Sequence, residues 1–199
     1  MGFTTILDIL GATIVGGVLL LILFRVQGSS VENTYVYGGD LMVQQNLVAI
    51  VELLEYDFRK IGYCKDWQQI PDPSKAITFA DSTKITFLTD IESDGVVDVM
   101  TYYLGPASEL TNTENPRDRY LYRVINGATP RGTNLGVTHF NLRFFDVLGT
   151  ELSFPIGNPA EIYQMEINIS IENTAAYDNN YSNAVWKQIR LAARNLKNR

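Results

Sequence analysis

The sequence predicts an α+β fold in which an N-terminal transmembrane helix and a second, amphipathic helix precede an antiparallel β-sheet packed on the second helix. Three observations support this prediction. Residues 9–24 form an uncharged apolar run. Apolar residues then recur at spacings of three and four, the period of a helix with one buried face. From Ala76 onward they recur at every second position, the period of a half-buried strand.

The first apolar run is long enough to cross a membrane. With its flanking apolar residues it extends over residues 3–26, which is 24 residues. At about 1.5 Å per residue this is roughly 36 Å, against a hydrocarbon core of about 30 Å. A cleaved secretory signal would need cations before the run and a small-residue cleavage site after it. Neither is present, so we expect residues 1–27 to be a retained anchor in a single-pass membrane protein.

One charged residue, Asp8, lies near the start of this anchor. An acid at the centre of a membrane-spanning helix costs roughly 2.5–3.5 kcal/mol, and less toward its end. Such a residue usually has a partner, and none is close in sequence. Two interpretations stay open: Asp8 pairs with a group of another subunit, or it reaches the lipid headgroups. Ala12 and Gly16, four residues apart, would let a second helix approach closely, or they are weak points in a helix that stands alone.

Residues 28–62 are predicted to form a linker and an amphipathic stalk helix. The glycines of Gly28-Ser29-Ser30 and Gly38-Gly39 predict a break after the anchor. Asp40 is a suitable N-cap for a new helix and Gly62 a suitable end. The apolar stripe of the stalk helix consists of Val43, Leu47, Ile50, Val51, Leu54, Phe58 and Ile61.

Residues 63–199 are predicted to form the sheet. Alternation is clearest at residues 161–173, where apolar residues from Tyr163 to Ile171 alternate with polar ones from Gln164 to Ser170. Such alternation is typical of an antiparallel strand with one face in the core. The other strand candidates are KITFLT, VVDVMTYYL, RYLYRVI, VTHFNLRFFDV and VWKQIRLA. The sheet must bury one face, and the stalk helix is the element available to cover it.

Composition argues against several classes of function. The net charge is −6, with 22 acidic residues against 16 basic ones, which is unfavourable for binding nucleic acid. One cysteine and one histidine leave most nucleophilic and transition-metal mechanisms incomplete. The common hydrolase, zinc and phosphate-binding motifs are absent from the sequence. We therefore expect no enzymatic activity and no nucleic-acid partner.

The stretch TDIESDGVVD is the strongest candidate for a ligand site. Four acidic residues surround the turn-forming Gly95, namely Asp90, Glu92, Asp94 and Asp98. Oxygen ligands at alternate positions around a glycine turn suit Ca²⁺, although Thr101 occupies the place where an EF-hand has glutamate. The alternative is an acidic β-hairpin whose Ser-Asp-Gly makes the turn. Calcium is the one cofactor that the sequence suggests.

Several stretches in order resemble the minor pilins and pseudopilins of type IV pili and type II secretion systems, especially their W-type and J-type subunits. GFTTILDILG is similar to the family's leader site, and DFRKIGY to the end of its stalk helix. The Asp-Gly hairpin, LYRVING, LGVTHFNLRFFDVLGTEL and the closing IRLAARNL follow in the family's order. The resemblance covers most of the chain and implies a pilin-like fold.

The resemblance implies roles for three residues of the anchor. Gly2 and Phe3 would form the junction at which a peptidase cuts and then methylates the new N-terminal Phe3. Asp8 would be the counterpart of the acid that pairs with the free amine of a neighbouring subunit. Counting from Phe3, the family has glutamate at the fifth place, where this chain has Leu7, and Asp8 is sixth.

The function that the resemblance implies is structural. The chain would be a minor subunit that helps initiate or cap a pilus or a secretion pseudopilus. Its partners would be other pilin or pseudopilin subunits and the lipid of the inner membrane. The N-terminus would be cytoplasmic and the C-terminal domain periplasmic or extracellular. The alternative is a membrane-tethered extracytoplasmic binding or adhesion module, with calcium as its candidate cofactor, that never enters a filament. A membrane-anchored hydrolase is a third hypothesis.

Overall fold

The computed structural model describes residues 2–175 and 181–191. Within those residues one α-helix, α1 (Gly2–Arg59), precedes a seven-stranded sheet. The strands are β1 (Ile77–Ala80), β2 (Lys84–Thr89), β3 (Asp98–Leu104), β4 (Arg119–Ile125), β5 (Arg131–Phe145), β6 (Gln164–Glu172) and β7 (Asn183–Leu191). Short 3-10 turns lie between them. The α+β class is confirmed, while the closing stretch 192–199 lies outside the described residues.

The predicted break between anchor and stalk helix is wrong. The helix α1 continues through Gly28-Ser29-Ser30 and through Gly38-Gly39, and Asp40 is an interior position instead of an N-cap. Glycine inside a helix is less favourable than alanine by roughly 0.5–1 kcal/mol, but it keeps its N–H and its hydrogen bond. No proline interrupts residues 2–59. The glycines therefore weaken the helix locally without ending it.

The chain divides into two compact units between Gly39 and Asp40. In the first unit, the large apolar side chains of residues 3–26 are between 51% and 77% exposed. The N-terminal helix is long and apolar enough to cross a membrane, as the sequence predicts. These side chains lie on all sides of the helix, as is expected of a helix whose surroundings are apolar.

The sheet of the second unit is an antiparallel meander. Each strand pairs with the next one along the chain, in the order β1 to β7. β5 begins earlier than its predicted start at Val137, because the strand continues through an irregularity that includes Gly136 in its pairing with β4. The φ of Gly136 is +76°, and a Cβ atom there would lie 2.0 Å from the carbonyl oxygen of Glu172. Only glycine allows this close approach of β5 to β6.

The core of the second unit lies between the sheet and the C-terminal part of α1. The predicted apolar stripe is confirmed: Val43, Ile50, Leu54, Phe58 and Ile61 are buried, and Leu47 and Val51 pack against them. The ring of Phe58 meets the rings of Phe87 and Tyr102 edge-to-face at centroid distances of 5.6 and 5.4 Å. This arrangement is the preferred one for aromatic pairs and fixes the helix on β2 and β3.

One polar position of β6 differs from the alternation pattern. Glu166 is predicted to be solvated, but it is only 6% exposed. Its Oε1 atom lies 3.3 Å from Arg143 Nη1 on β5 and 3.2 Å from Lys187 Nζ on β7. The two cationic side chains cover Glu166 from the neighbouring strands, because cross-strand neighbours share one face of a sheet.

Candidate functional site

The first candidate site is the exposed N-terminal segment of α1, which carries all three residues singled out by the pilin resemblance. Gly2, Phe3 and Asp8 are exposed on this helix. Thr5 and Thr13 lie on either side of Asp8, and Thr13 Oγ1 donates to the carbonyl of Leu10 at 2.9 Å. The threonine hydroxyl is thus satisfied within the helix, as a membrane environment requires.

Asp8 forms no ion pair among the described residues. The first basic residue after it in the chain is Arg25, 17 positions along the same helix. That separation is about 25 Å at the rise of an α-helix, too far for an ion pair. A partner for the Asp8 carboxylate must therefore come from outside this segment.

Small residues beside Asp8 leave room for another helix. A Cβ atom built on Gly11, Gly16 or Gly17 would meet no atom within 4 Å. Glycine and alanine at such positions allow two helix backbones to approach closely, which is how membrane helices associate. The segment therefore combines an acid without an ion-pair partner among the described residues, an apolar surface and glycines that a second helix could approach closely.

The second candidate site is the acidic loop after β2, which contains the predicted calcium ligands. Asp90 is fully buried, and its carboxylate accepts hydrogen bonds from three backbone N–H groups: Asp94 at 3.1 Å, Lys65 at 3.0 Å and Gly95 at 2.9 Å. Burial raises the pKa of Asp90, but these hydrogen bonds outweigh it and hold the pKa below its usual value. Asp90 thus organises the loop as a charged acceptor.

The carboxylates of Asp94 and Asp98 have hydrogen-bond partners of their own, separate from those of Asp90. Asp94 Oδ1 accepts from Val96 N at 2.8 Å. Asp98 Oδ2 accepts from Ile91 N at 3.1 Å, and its Oδ1 accepts from Asn126 Nδ2 at 2.7 Å. Glu92 is exposed. Of the residues that the structure describes, no group of three histidine, cysteine or acidic side chains is placed to hold a metal ion.

The backbone of this loop has the geometry expected of an acidic β-hairpin, the alternative to a calcium site. Ser93 and Gly95 have φ values of +58° and +94°, so both residues of the turn adopt a conformation with positive φ. The arrangement shows carboxylates that hold a turn together, while calcium binding stays a prediction. Cys64 borders this loop: burial and the nearby charges of Asp90 and Asp66 raise the pKa of its thiol.

A buried charged cluster joins α1 to the sheet, and the sequence analysis missed it. Asp57 accepts hydrogen bonds from Arg123 on β4, at 2.6 Å from Nε and 3.2 Å from Nη2. It also accepts one from the hydroxyl of Tyr102 on β3. Burial and the Asp57 charge raise the pKa of Tyr102, so its hydroxyl stays protonated and donates. One feature of the sequence indicated that Asp57 is buried: it lies three residues after Leu54 and four before Ile61, on the apolar face of the helix.

The single histidine of the chain lies on β5. His139 is exposed, and its Nδ1 atom lies 3.3 Å from Thr138 Oγ1. Comparison of the chain with protein-family models, with characterised proteins and with solved structures gives no match. Its function is therefore inferred from its own sequence and geometry.

Proposed function

We propose that the chain is a minor pilin-like or pseudopilin-like subunit that helps initiate or cap a type IV pilus or a type II secretion pseudopilus. The single observation that carries this proposal is the continuous helix Gly2–Arg59. Residues 3–26 of this helix expose apolar side chains and one acid, and its last part lies in the core of the sheet unit. One helix thus serves as both anchor and core element.

The mechanism would be lateral packing of α1 against the equivalent helices of other subunits. Apolar side chains of residues 3–26 would face lipid in the free subunit and neighbouring helices in the filament. Lipid and helix surfaces are similarly apolar, so association depends on close packing and on polar contacts. Gly11, Gly16 and Gly17 support close packing, since space beside each is open.

Asp8 would supply the polar contact. Cleavage after Gly2 would free the amine of Phe3, and the Asp8 carboxylate of one subunit would pair with that amine of its neighbour. In an apolar environment each charge alone is strongly unfavourable, and the pair offsets part of this cost. The N-terminus would then be cytoplasmic and the sheet unit periplasmic or extracellular. Asp8 forms no ion pair with any residue that the structure describes, and this supports the proposal.

The proposal is tested by recovering the protein from the cells that produce it. Filaments sheared from the cell surface, or the pseudopilus fraction of the membrane, should contain the chain, and mass spectrometry should find a methylated Phe3 at its N-terminus. If the chain is absent from these fractions and Met1 is intact in the membrane fraction, the protein is not a processed filament subunit. It would then act as a membrane-tethered module.

A further inference from the structure

An apolar groove lies within the second unit, between α1 and one end of the sheet. It has a volume of about 510 Å³ and is lined by residues of α1, β3, β4 and the start of β5. Most of its walls are aliphatic, including Leu53, Leu121, Ile125 and Leu135. Pockets of roughly 300–1,000 Å³ with apolar walls and a few polar groups are typical of small-molecule sites.

Two arginines line the groove directly opposite each other. Arg123 on β4 and Arg131 on β5 are cross-strand partners, so both side chains lie on one face of the sheet. Like charges in such positions repel each other. Asp57 compensates Arg123, whereas the side chain of Arg131 is exposed and forms no ion pair with any of the described residues. The groove therefore holds two positive charges against one negative charge.

We infer that this groove binds a single-chain acyl anion, such as a long-chain fatty acid, with its carboxylate at Arg131 and its hydrocarbon chain along Leu53 and Leu121. The arginines of the groove match the carboxylate of such a ligand, and the aliphatic walls of the groove match its hydrocarbon chain. A carboxylate between the guanidinium groups would balance the excess positive charge and accept the forked hydrogen bonds that arginine offers. The aliphatic walls would remove the chain from water.

A second copy of the protein fits the groove less well. A specific protein interface buries at least about 1,000 Å² in total, whereas this feature is a recess of small-molecule size. The exposed side chain of Arg131 also offers a cation at one defined place, which favours a ligand with a single negative group. The inference goes beyond the proposed structural role, because the groove lies wholly in residues 49–135 and needs no filament.

The test uses the full chain in nanodiscs of zwitterionic phosphatidylcholine. The probe is palmitate that carries a photoreactive diazirine, and the matched neutral probe is the corresponding diazirine-bearing alcohol. Labelled peptides are located by mass spectrometry. We expect saturable labelling of residues 49–54 and 121–135 by the acid, about tenfold above the alcohol, which corresponds to about 1.4 kcal/mol.

Variants separate the charge from the apolar walls. Arg131→Gln should reduce groove labelling by the acid about tenfold and leave the alcohol unchanged. Lys84→Gln, which removes a cation from the exposed face of β2, should change neither. Leu53→Glu, at a position already 40% exposed and therefore tolerant of a polar residue, should abolish labelling by placing a negative charge in the groove.

Three results would overturn the inference. The first is equal labelling by acid and alcohol, unaffected by Arg131→Gln. The second is labelling confined to residues 2–39, which would show partition into the bilayer only. The third is a crosslink between two copies at the groove that excess palmitate does not displace, which would make the groove an interface. The first two results do not bear on filament assembly, and the third would place a contact between copies at the groove, so failure of the inference is distinguishable from failure of the proposed function.

Discussion

Arg123 Nε on β4 lies 2.6 Å from Asp57 Oδ2 on α1, and the two side chains form an ion pair at the interface between helix and sheet. Asp57 is 1% exposed and Arg123 is 27% exposed. The hydroxyl of Tyr102 donates to the same carboxylate. The cluster joins three elements that are distant in sequence, so it specifies how α1 lies on the sheet.

Removal of the arginine should destabilise the second unit strongly. Arg123→Gln would leave the Asp57 carboxylate buried without its counter-charge, and breaking a buried pair in this way costs about 3–5 kcal/mol. Arg59→Gln is the matched control, because its partner Glu55 is on the helix surface and such pairs contribute about 0.3–0.5 kcal/mol. Chemical unfolding followed by tryptophan fluorescence measures both. Equal losses in the two variants would contradict the role assigned to Asp57.

The Asp90 carboxylate should make the stability of the acidic loop dependent on pH. Its pKa is lower in the folded chain than in the unfolded chain. Its contribution is therefore fully present above the unfolded value of about 3.9 and is lost as the pH falls through the folded pKa. Asp90→Asn should lower the free energy of unfolding at pH 7 by about 1–3 kcal/mol, since its amide cannot accept all three N–H groups.

The pH dependence of the free energy of unfolding of Asp90→Asn is itself a control. Wild type and Asp90→Asn should converge in stability as the pH falls below the folded pKa. Asp94→Asn, which changes an exposed acid of the same loop, should remain close to wild type throughout. A constant difference between wild type and Asp90→Asn at all pH values would show that ionisation of Asp90 does not stabilise the loop.

The Cys64 thiol should react slowly in the folded chain. It is buried, and its pKa is raised above that of an ordinary thiol. The reactive thiolate is thus both rare and shielded at pH 8. Maleimide labelling should be at least about a hundredfold slower in the native chain than in denaturant. Rapid labelling of the native chain would mean that the loop containing Asp90 opens readily.

Calcium binding by the acidic loop has a direct thermal test. A ligand that binds only the folded state raises the free energy of unfolding by about 2.7 kcal/mol at one hundred times its Kd. If Asp90, Glu92, Asp94 and Asp98 bind the ion, millimolar Ca²⁺ should raise Tm relative to chelator, and Glu92→Gln should reduce the increase. Identical melting curves with calcium and with chelator would leave the four acids with structural roles alone.

The elements of the fold were predictable because each depends on a local period. The stripe from Val43 to Ile61 and the alternation in β6 both require only the positions of apolar residues relative to a buried face. The continuity of α1 was not predictable from glycine content. Helix formation is cooperative, and hydrogen bonds on both sides of Gly38-Gly39 support the weak positions between them.

The polar contacts of the sites were predictable only in part. The sequence shows acids around Gly95, but the backbone N–H groups that approach Asp90 come from Lys65 and from the turn itself, and no residue type signals them. The pairing of Asp57 with Arg123 joins positions 66 residues apart. Such a contact follows from the register of the strands, which the sequence pattern does not determine across several loops.

The central claim is that α1 assembles with other subunits through Asp8. Its most direct test is crosslinking in cells between the cysteines that Ala12→Cys introduces into two subunits, one helical turn from Asp8. The native Cys64 is buried within the second unit. Asp8→Asn in this background should reduce the crosslinked product about tenfold, because the neighbour's amine loses its counter-charge. Glu32→Gln, an exposed acid of the same helix, should have no effect. Undiminished crosslinking of Asp8→Asn would contradict the mechanism.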